Sequence, residues 1–341
     1  MNLIDIAKQF ATEEACVNYL EAMRWPDGVR CLKCDGAHVS RYQTAETSRE
    51  VRNRKTGAME TKRVPARFIY QCMDADCHHQ FSVTTGTIFN DTHLSLEKWF
   101  NAVALMCNGK KGISAMQMQR DLRTAYKTAW YLNHRIRKAM AMVEEATQEP
   151  LTGTIEADET YIGGKWDKRR KRGKYEKAPV FGVVERGGRV RTHHMPKPNL
   201  SSKKIIEKIK GDVSINADGI YTDESRYYGT VAGCLKNHNH QSVNHIELEW
   251  VRGDVHTGTI DGYWGLLKRG IIGSFHKVSV KHLHRYLSEF QFRWNNREAE
   301  DMFPLVIAAL VIGIAFPYAQ LTAKTSQPEQ PEAETSEDVP F

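Results

Sequence analysis

Hydrophobic residues recur with helical spacing in the first part of this chain and with strand-like runs in its middle. Over 13–23, Val17, Leu20 and Met23 fall on one side of a short helix, which Pro26, Asp27 and Gly28 end. Residues 96–108 place Trp99, Phe100, Val103, Leu105 and Met106 on a second helix. A third, over 112–122, is entered through Ser114. Arg123 and Thr124 then make a turn into a longer helix over 126–143. Three helices with a tight turn between the last two have the outline of a helix-turn-helix. The last of them carries Lys127, His134, Arg135, Arg137 and Lys138, which is basic enough to face DNA. A plain helical bundle joining two domains fits the same pattern.

From residue 154 the pattern changes to strands. Thr154, Ile155 and Ala157 suit a short buried strand that ends near Gly163 and Gly164. Residues 178–185 and 190–195 flank Gly187 and Gly188 as a hairpin. An amphipathic helix over 201–210 turns Ile205, Ile206 and Ile209 inward, and 220–223 is another short strand. The run over 305–316 is apolar but shorter than the roughly 20 residues that span a bilayer, so it reads as a buried helix. The N-terminus lacks the basic and apolar regions of a signal peptide, which predicts a cytosolic protein.

The strand pattern isolates Asp158, a carboxylate in otherwise core-like sequence. A charge there is costly unless it is paired or binds a cation. A second carboxylate, Asp223, ends the strand over 220–223. Three strands, a helix and a fourth strand, with acids on the first and fourth, predict a mixed α/β, ribonuclease-H-like core. The third acid should open a later helix. In the segment around 260–269, Ile260, Tyr263, Trp264 and Leu267 form the apolar stripe, with Thr257 or Thr259 as N-cap. Asp261 and Lys268 are seven residues apart, about two turns, and so share a face. Asp254 is a competing acid outside that helix. Glu156, Glu159 and Glu224 flank these acids; strand alternation turns the odd neighbours to the opposite face.

Seven cysteines add a second kind of site. Cys31 with Cys34, and Cys72 with Cys77, are two pairs of knuckle spacing that together can hold one tetrahedral structural zinc. The polar stretch 48–62 between them reads as a hairpin extension of a zinc ribbon. Charge adds a partner. The net charge is +7, yet residues 165–177 alone carry +6 and the tail 318–341 carries −4. A basic body points to a polyanion, with Arg169, Arg170, Lys171 and Arg172 joining Lys127 and Arg135 as predicted DNA contacts. His238, His240 and His245 suit a polar loop, and Arg285, Arg293, Asn295, Asn296 and Arg297 suit DNA contacts or a solvated face.

Several motifs now carry a family resemblance. Trp25-Pro-Asp-Gly28, Glu156-Ala-Asp-Glu-Thr-Tyr-Ile-Gly-Gly164, Tyr221-Thr-Asp-Glu224 and Trp264-Gly-Leu-Leu-Lys-Arg-Gly270 occur in order. With these, the chain resembles a bacterial insertion-sequence transposase of the DDE type with an N-terminal zinc ribbon. The resemblance implies that Asp158, Asp223 and Asp261 hold two Mg²⁺ (or Mn²⁺) ions, with Lys268 beside the DNA. It implies cleavage at element ends and transfer of the freed 3′-hydroxyl into target DNA. It also implies double-stranded DNA as partner, a homo-oligomer on that DNA and a place at the bacterial nucleoid. Where the family usually has Asn and Glu, this chain has Gly258 and Asp261. A non-catalytic DNA-binding protein and a nuclease that cuts without joining are the rival classes. The predicted divisions are 1–92 (N-terminal helix and ribbon), 93–148 (helical DNA-binding segment), 149–317 (catalytic domain with C-terminal helices) and 318–341 (disordered acidic tail).

Overall fold

The computed structural model describes residues 1–52, 56–147, 149–163, 177–195, 200–244 and 246–323. The basic positions Arg169, Arg170, Lys171 and Arg172 lie outside the described residues. Two short helices open the chain, α1 (Leu3–Gln9) and α2 (Glu13–Arg24). Each has a polar N-cap: the Asn2 side chain accepts from Ile4 and Asp5 N–H, and Thr12 accepts from Ala15 N–H. A small ribbon follows, with β1 (Val39–Gln43), β2 (Thr47–Arg52), β3 (Met59–Val64), β4 (Phe68–Cys72) and β5 (Gln80–Phe81). Strands β1, β4 and β5 form one antiparallel sheet, and β2 pairs with β3 in the expected hairpin extension.

Three helices come next, α3 (Leu96–Asn108), α4 (Ala115–Leu122) and α5 (Tyr126–Ala146). Ser114 caps α4, accepting from Gln117 N–H at 3.1 Å, and Arg123 is left-handed at the turn into α5. The rest of the chain supplies β6 (Thr154–Ile162), β7 (Ala178–Glu185), β8 (Val190–His194), α6 (Ser202–Asp212), β9 (Gly219–Asp223), β10 (His240–Val243), α7 (Gly258–Gly270), α8 (Leu283–Asn295), α9 (Phe303–Ile312) and α10 (Tyr318–Thr322).

A five-stranded sheet of order β10-β9-β6-β7-β8 lies at the centre of the second half. Strand β6 is antiparallel to β7 and parallel to β9, and β10 is parallel to β9. Alternation along β6 and β7 sends Ile155, Ala157, Phe181 and Val183 to one face, where Ile205 and Ile209 of α6 cover them. Val180 and Val184 point to the other face, against Ile260, Trp264 and Leu267 of α7 and Leu287 and Phe290 of α8. Helices on both faces explain why β7 is apolar almost throughout.

The N-terminal helices, ribbon and C-terminus share a separate core. Phe10, Leu20, Trp99, Phe100 and Ile136 pack with Phe303, Val306, Ile307 and Leu310 of α9. The C-terminal boundary predicted at 317 therefore needs correction: α9 returns to the N-terminal helices. The tail is also helical over Tyr318–Thr322 rather than unstructured from 318. No helix among the described residues is long and apolar enough to cross a membrane.

Helix α8 joins the two halves. Its Glu289, fully buried, accepts from Arg137 Nε of α5 at 2.6 Å and from Arg293 one turn along α8. The two cations hold the Glu289 carboxyl below its usual range despite its burial. Glu144 of α5 adds bonds from Gln291, Asn295 and Asn296, and Arg297 donates to the carbonyls of Gly187 and Gly188. These residues brace the junction, so the expectation that Arg293, Asn295, Asn296 and Arg297 are DNA contacts or a solvated face gives way to a structural role. Removing one member leaves an uncompensated buried charge, so Glu289→Ala should cost about 3–5 kcal/mol, read by denaturant unfolding with zinc retained.

Candidate active site and metal centre

The four predicted zinc ligands converge. The Sγ atoms of Cys31, Cys34, Cys72 and Cys77 all lie within 4.8 Å of one another, with Cys31 to Cys77 at 3.7 Å and Cys34 to Cys72 at 3.6 Å. Tetrahedral coordination at a Zn–S distance of about 2.3 Å sets sulfur–sulfur separations of about 3.8 Å, so the cage fits zinc. Each knuckle closes through a left-handed residue after its second cysteine, Asp35 (φ 57°) and His78 (φ 45°). His79 stacks on Phe81 instead of entering the cage.

The acids are placed by the sheet. Parallel pairing aligns Glu156 with Tyr221, an offset of 65 residues. The same offset puts Asp223, the last residue of β9, beside Asp158 where β6 runs on toward Ile162. Both lie on the face covered by α7. Asp158 is aligned with Gly182 of β7, and a side chain at Gly182 would collide with the Trp264 ring (2.6 Å from an added Cβ). The bare backbone there lets α7 settle onto the strand. Trp264 Nε1 then donates to Asp158 Oδ2 at 2.9 Å.

Helix α7 brings Asp261 into its first turn and Lys268 into its last, both exposed. Burial pushes the Asp158 carboxyl up to about 7, and the negative charges of Asp223 and Asp261 push in the same direction. The charges of the other two predicted acids thus reach the Asp158 carboxyl. Asp254 sits in the turn before α7, fully on the surface. Asp223 Oδ1 accepts from Ser225 N–H at 3.0 Å, and Thr257 Oγ1 donates to Asp261 Oδ2 at 3.3 Å. Thr257 is the N-cap residue, but its side chain makes no capping bond to the backbone.

Capping comes from a residue that the sequence pattern left aside. Glu156, on β6 and fully buried, accepts from Thr259 N–H at 2.8 Å and Ile260 N–H at 3.0 Å. It also accepts from Thr259 Oγ1 at 2.9 Å and Arg186 Nε at 2.7 Å. Glu156 is two residues before Asp158, so alternation alone places both on the same face. That parity was the available signal. Glu159 occupies the opposite face, and burial, with Asp158 and Asp223 nearby, pushes its carboxyl up to about 8.

Comparison with known proteins fits this geometry. A transposase zinc-ribbon domain model matches residues 11–80, and an ISXO2-like transposase domain model matches 150–295, ending where α8 ends. A protein of Halobacterium salinarum, described as an uncharacterized protein in transposable element ISH50, is 29% identical over 302 residues. The match covers 84% of this chain and 92% of that protein. The chain belongs to the insertion-sequence transposases with an N-terminal zinc ribbon.

In this transposase the predicted basic face of α5 needs correction. Arg135 is buried and donates to the carbonyls of Ile88 and Asn90, with its guanidinium over the Trp99 ring. Its charge is spent inside the fold, as is that of Arg137, and burial keeps His134 neutral. Lys127, at the first turn of α5, is exposed and lies 4.4 Å from the Tyr318 ring. Counting the basic residues of α5 missed this because their partners Ile88, Asn90, Trp99 and Glu289 come from distant parts of the chain.

Two outcomes follow from this geometry. Cys31→Ser should lose its zinc, read by metal analysis of the purified chain, and its ribbon should become protease-sensitive. Because folding strengthens the hold of Asp158 on its proton, its contribution to stability falls as pH rises from about 4 to about 7. In buffer free of added divalent cations, Asp158→Asn should therefore melt above the parent at pH 8 and converge with it near pH 4. The gain should be roughly 2–4 °C for each kcal/mol of repulsion relieved.

Proposed function

We propose that this transposase cleaves DNA at the ends of its element and joins the freed 3′-hydroxyl to target DNA, using Asp158, Asp223 and Asp261. The carrying observation is that the parallel register of β6 and β9 sets Asp158 and Asp223 side by side, with Asp261 of α7 close enough for its charge to act on the Asp158 carboxyl. The sheet order, with an antiparallel hairpin on one side of β6 and parallel strands on the other, supports a ribonuclease-H-like core.

The donor set fits Mg²⁺ or Mn²⁺. It consists of hard carboxylate oxygens whose mutual repulsion a divalent cation would relieve. Such ions, when bound, supply an activated oxygen nucleophile and charge stabilisation for the leaving oxygen. The chain's own contribution is to hold the oxygens in place. Trp264 fixes one oxygen of Asp158, Ser225 N–H fixes one of Asp223, and Thr257 steadies Asp261. Lys268, exposed two turns along α7 from Asp261, offers positive charge to a DNA phosphate. The zinc ribbon, the exposed Lys127 and the basic sequence run with Arg169, Arg170, Lys171 and Arg172 supply further contacts to double-stranded DNA, and a homo-oligomer brings two ends together.

The assay is a pre-nicked element end incubated with plasmid target and Mg²⁺ or Mn²⁺. The parent should join strands, while Asp261→Asn should lose joining by at least about 100-fold, the upper end of what losing even an outer-shell partner of a metal site costs. Unchanged joining by Asp261→Asn would transfer the third role to Asp254. Cleavage without joining would make the chain a nuclease, and DNA binding without either would make it a binding protein.

A further inference from the structure

We propose that Glu156 is the positioning residue that sets how far α7 reaches into the site, and that it lets the short Asp261 side chain serve as a ligand there. The proposal rests on the reading of Asp261 as a metal ligand and adds a residue whose role is to hold that ligand in place.

Three features of Glu156 support it. Its carboxylate takes both available N–H groups at the start of α7, those of Thr259 and Ile260, and the Thr259 hydroxyl besides. Free N–H groups and the positive end of the helix dipole make that terminus a natural seat for a carboxylate. The seat is also anchored from the sheet side. Arg186 donates from Nε to Glu156 and from Nη2 to the carbonyl of His256, tying the strand, the β7–β8 turn and the loop before α7 together. His256 Nδ1 approaches the same Glu156 oxygen at 3.3 Å and accepts from Gly258 N–H at 3.1 Å.

The geometric consequence concerns Asp261. It follows Ile260 directly, so the Glu156 bond to Ile260 N–H fixes the backbone one residue before the ligand. Glu156 and Asp158 also share one strand and one face, separated by a single intervening residue. The distance between Asp158 and Asp261 is therefore set by one short path: strand, Glu156 carboxylate, helix N-terminus. Aspartate has one methylene less than glutamate, so a ligand at 261 that is short needs the helix drawn in close. Glu156 draws it in from the N-terminal end, and bare Gly182 under Trp264 admits it from the side.

Trp264 already rests on the sheet at Gly182, so a side chain one methylene shorter at 156 no longer reaches the Thr259 and Ile260 N–H groups, the start of α7 relaxes outward, and a longer ligand at 261 should compensate. The experiment uses the full-length, zinc-loaded chain and measures Mn²⁺ binding by titration calorimetry and by Mn²⁺ electron spin resonance. Glu156→Asp should weaken Mn²⁺ binding about 10-fold, the lower end of the cost of losing an outer-shell support. Adding Asp261→Glu to that variant should restore binding to within about threefold of the parent. Thr259→Val, which removes only the hydroxyl bond to Glu156, should weaken binding in the same direction and to a smaller degree, and it stands in if Glu156→Asp does not fold. Melting temperature and zinc content check the fold of every variant. Parent-like Mn²⁺ binding by a folded Glu156→Asp, or a double variant no better than the single, overturns the proposal and leaves Glu156 as an ordinary structural cap. Asp261→Asn is measured alongside: its loss of Mn²⁺ binding upholds the parent reading, whereas parent-like binding overturns that reading and the proposal with it.

Discussion

Everything in the catalytic half depends on one helix lying directly on a strand. Helix α7 carries Asp261, which cannot come near Asp158 unless the helix backbone lies close to the sheet. Two elementary devices allow this. Gly182 removes the side chain that would hold the Trp264 ring away, and the buried Glu156 carboxylate satisfies the N–H groups that the helix start would otherwise leave unpaired. Burying Glu156 without partners would cost several kcal/mol. Its contacts with Thr259, Ile260 and Arg186 turn that cost into a fixed distance.

The same logic of a buried charge with obligatory partners joins the two halves of the chain. Glu289 of α8 lies between Arg137 and Arg293, and the three charges are sealed beneath aromatic rings, with Arg137 4.0 Å from the centre of Tyr286. Such a network adds little net stability over a well-packed apolar one, but it tolerates few alternative arrangements. It fixes α8 against α5, and through Asn295 the edge strand β8, so the ribbon-bearing half and the catalytic half are positioned relative to each other. The return of α9 into the N-terminal core strengthens that link.

Much of this was legible beforehand. Paired cysteines at knuckle spacing identified the zinc cage, because a tetrahedral thiolate site needs two short turns and little else. Helix α3 was read to its ends, and Ser114 announced α4, because apolar periodicity and capping are local properties. Asp158 and Asp223 stood out because each is a charge at a strand position that the surrounding residues mark as core, and the strand register sets them side by side. Strand β10 and helix α1 escaped notice: the first is a polar edge strand defined by its partner β9, and the second is seven residues long.

The sequence by itself determined the kinds of element, the ligand pairs of the ribbon, the offset of 65 residues between the two strand acids and the family to which the chain belongs. Those features rest on spacing along the chain, where neighbours are fixed by covalent geometry. Only the tertiary structure decided which basic residues are spent inside, as Arg135 and Arg137 are, and where the C-terminal helix packs. It alone identified Glu156 as the anchor of α7. Asn90, Glu289 and Thr259, the partners of Arg135, Arg137 and Glu156, lie 45 to 152 residues away, and α9 packs on Phe10 near the other end of the chain; no local pattern encodes such docking.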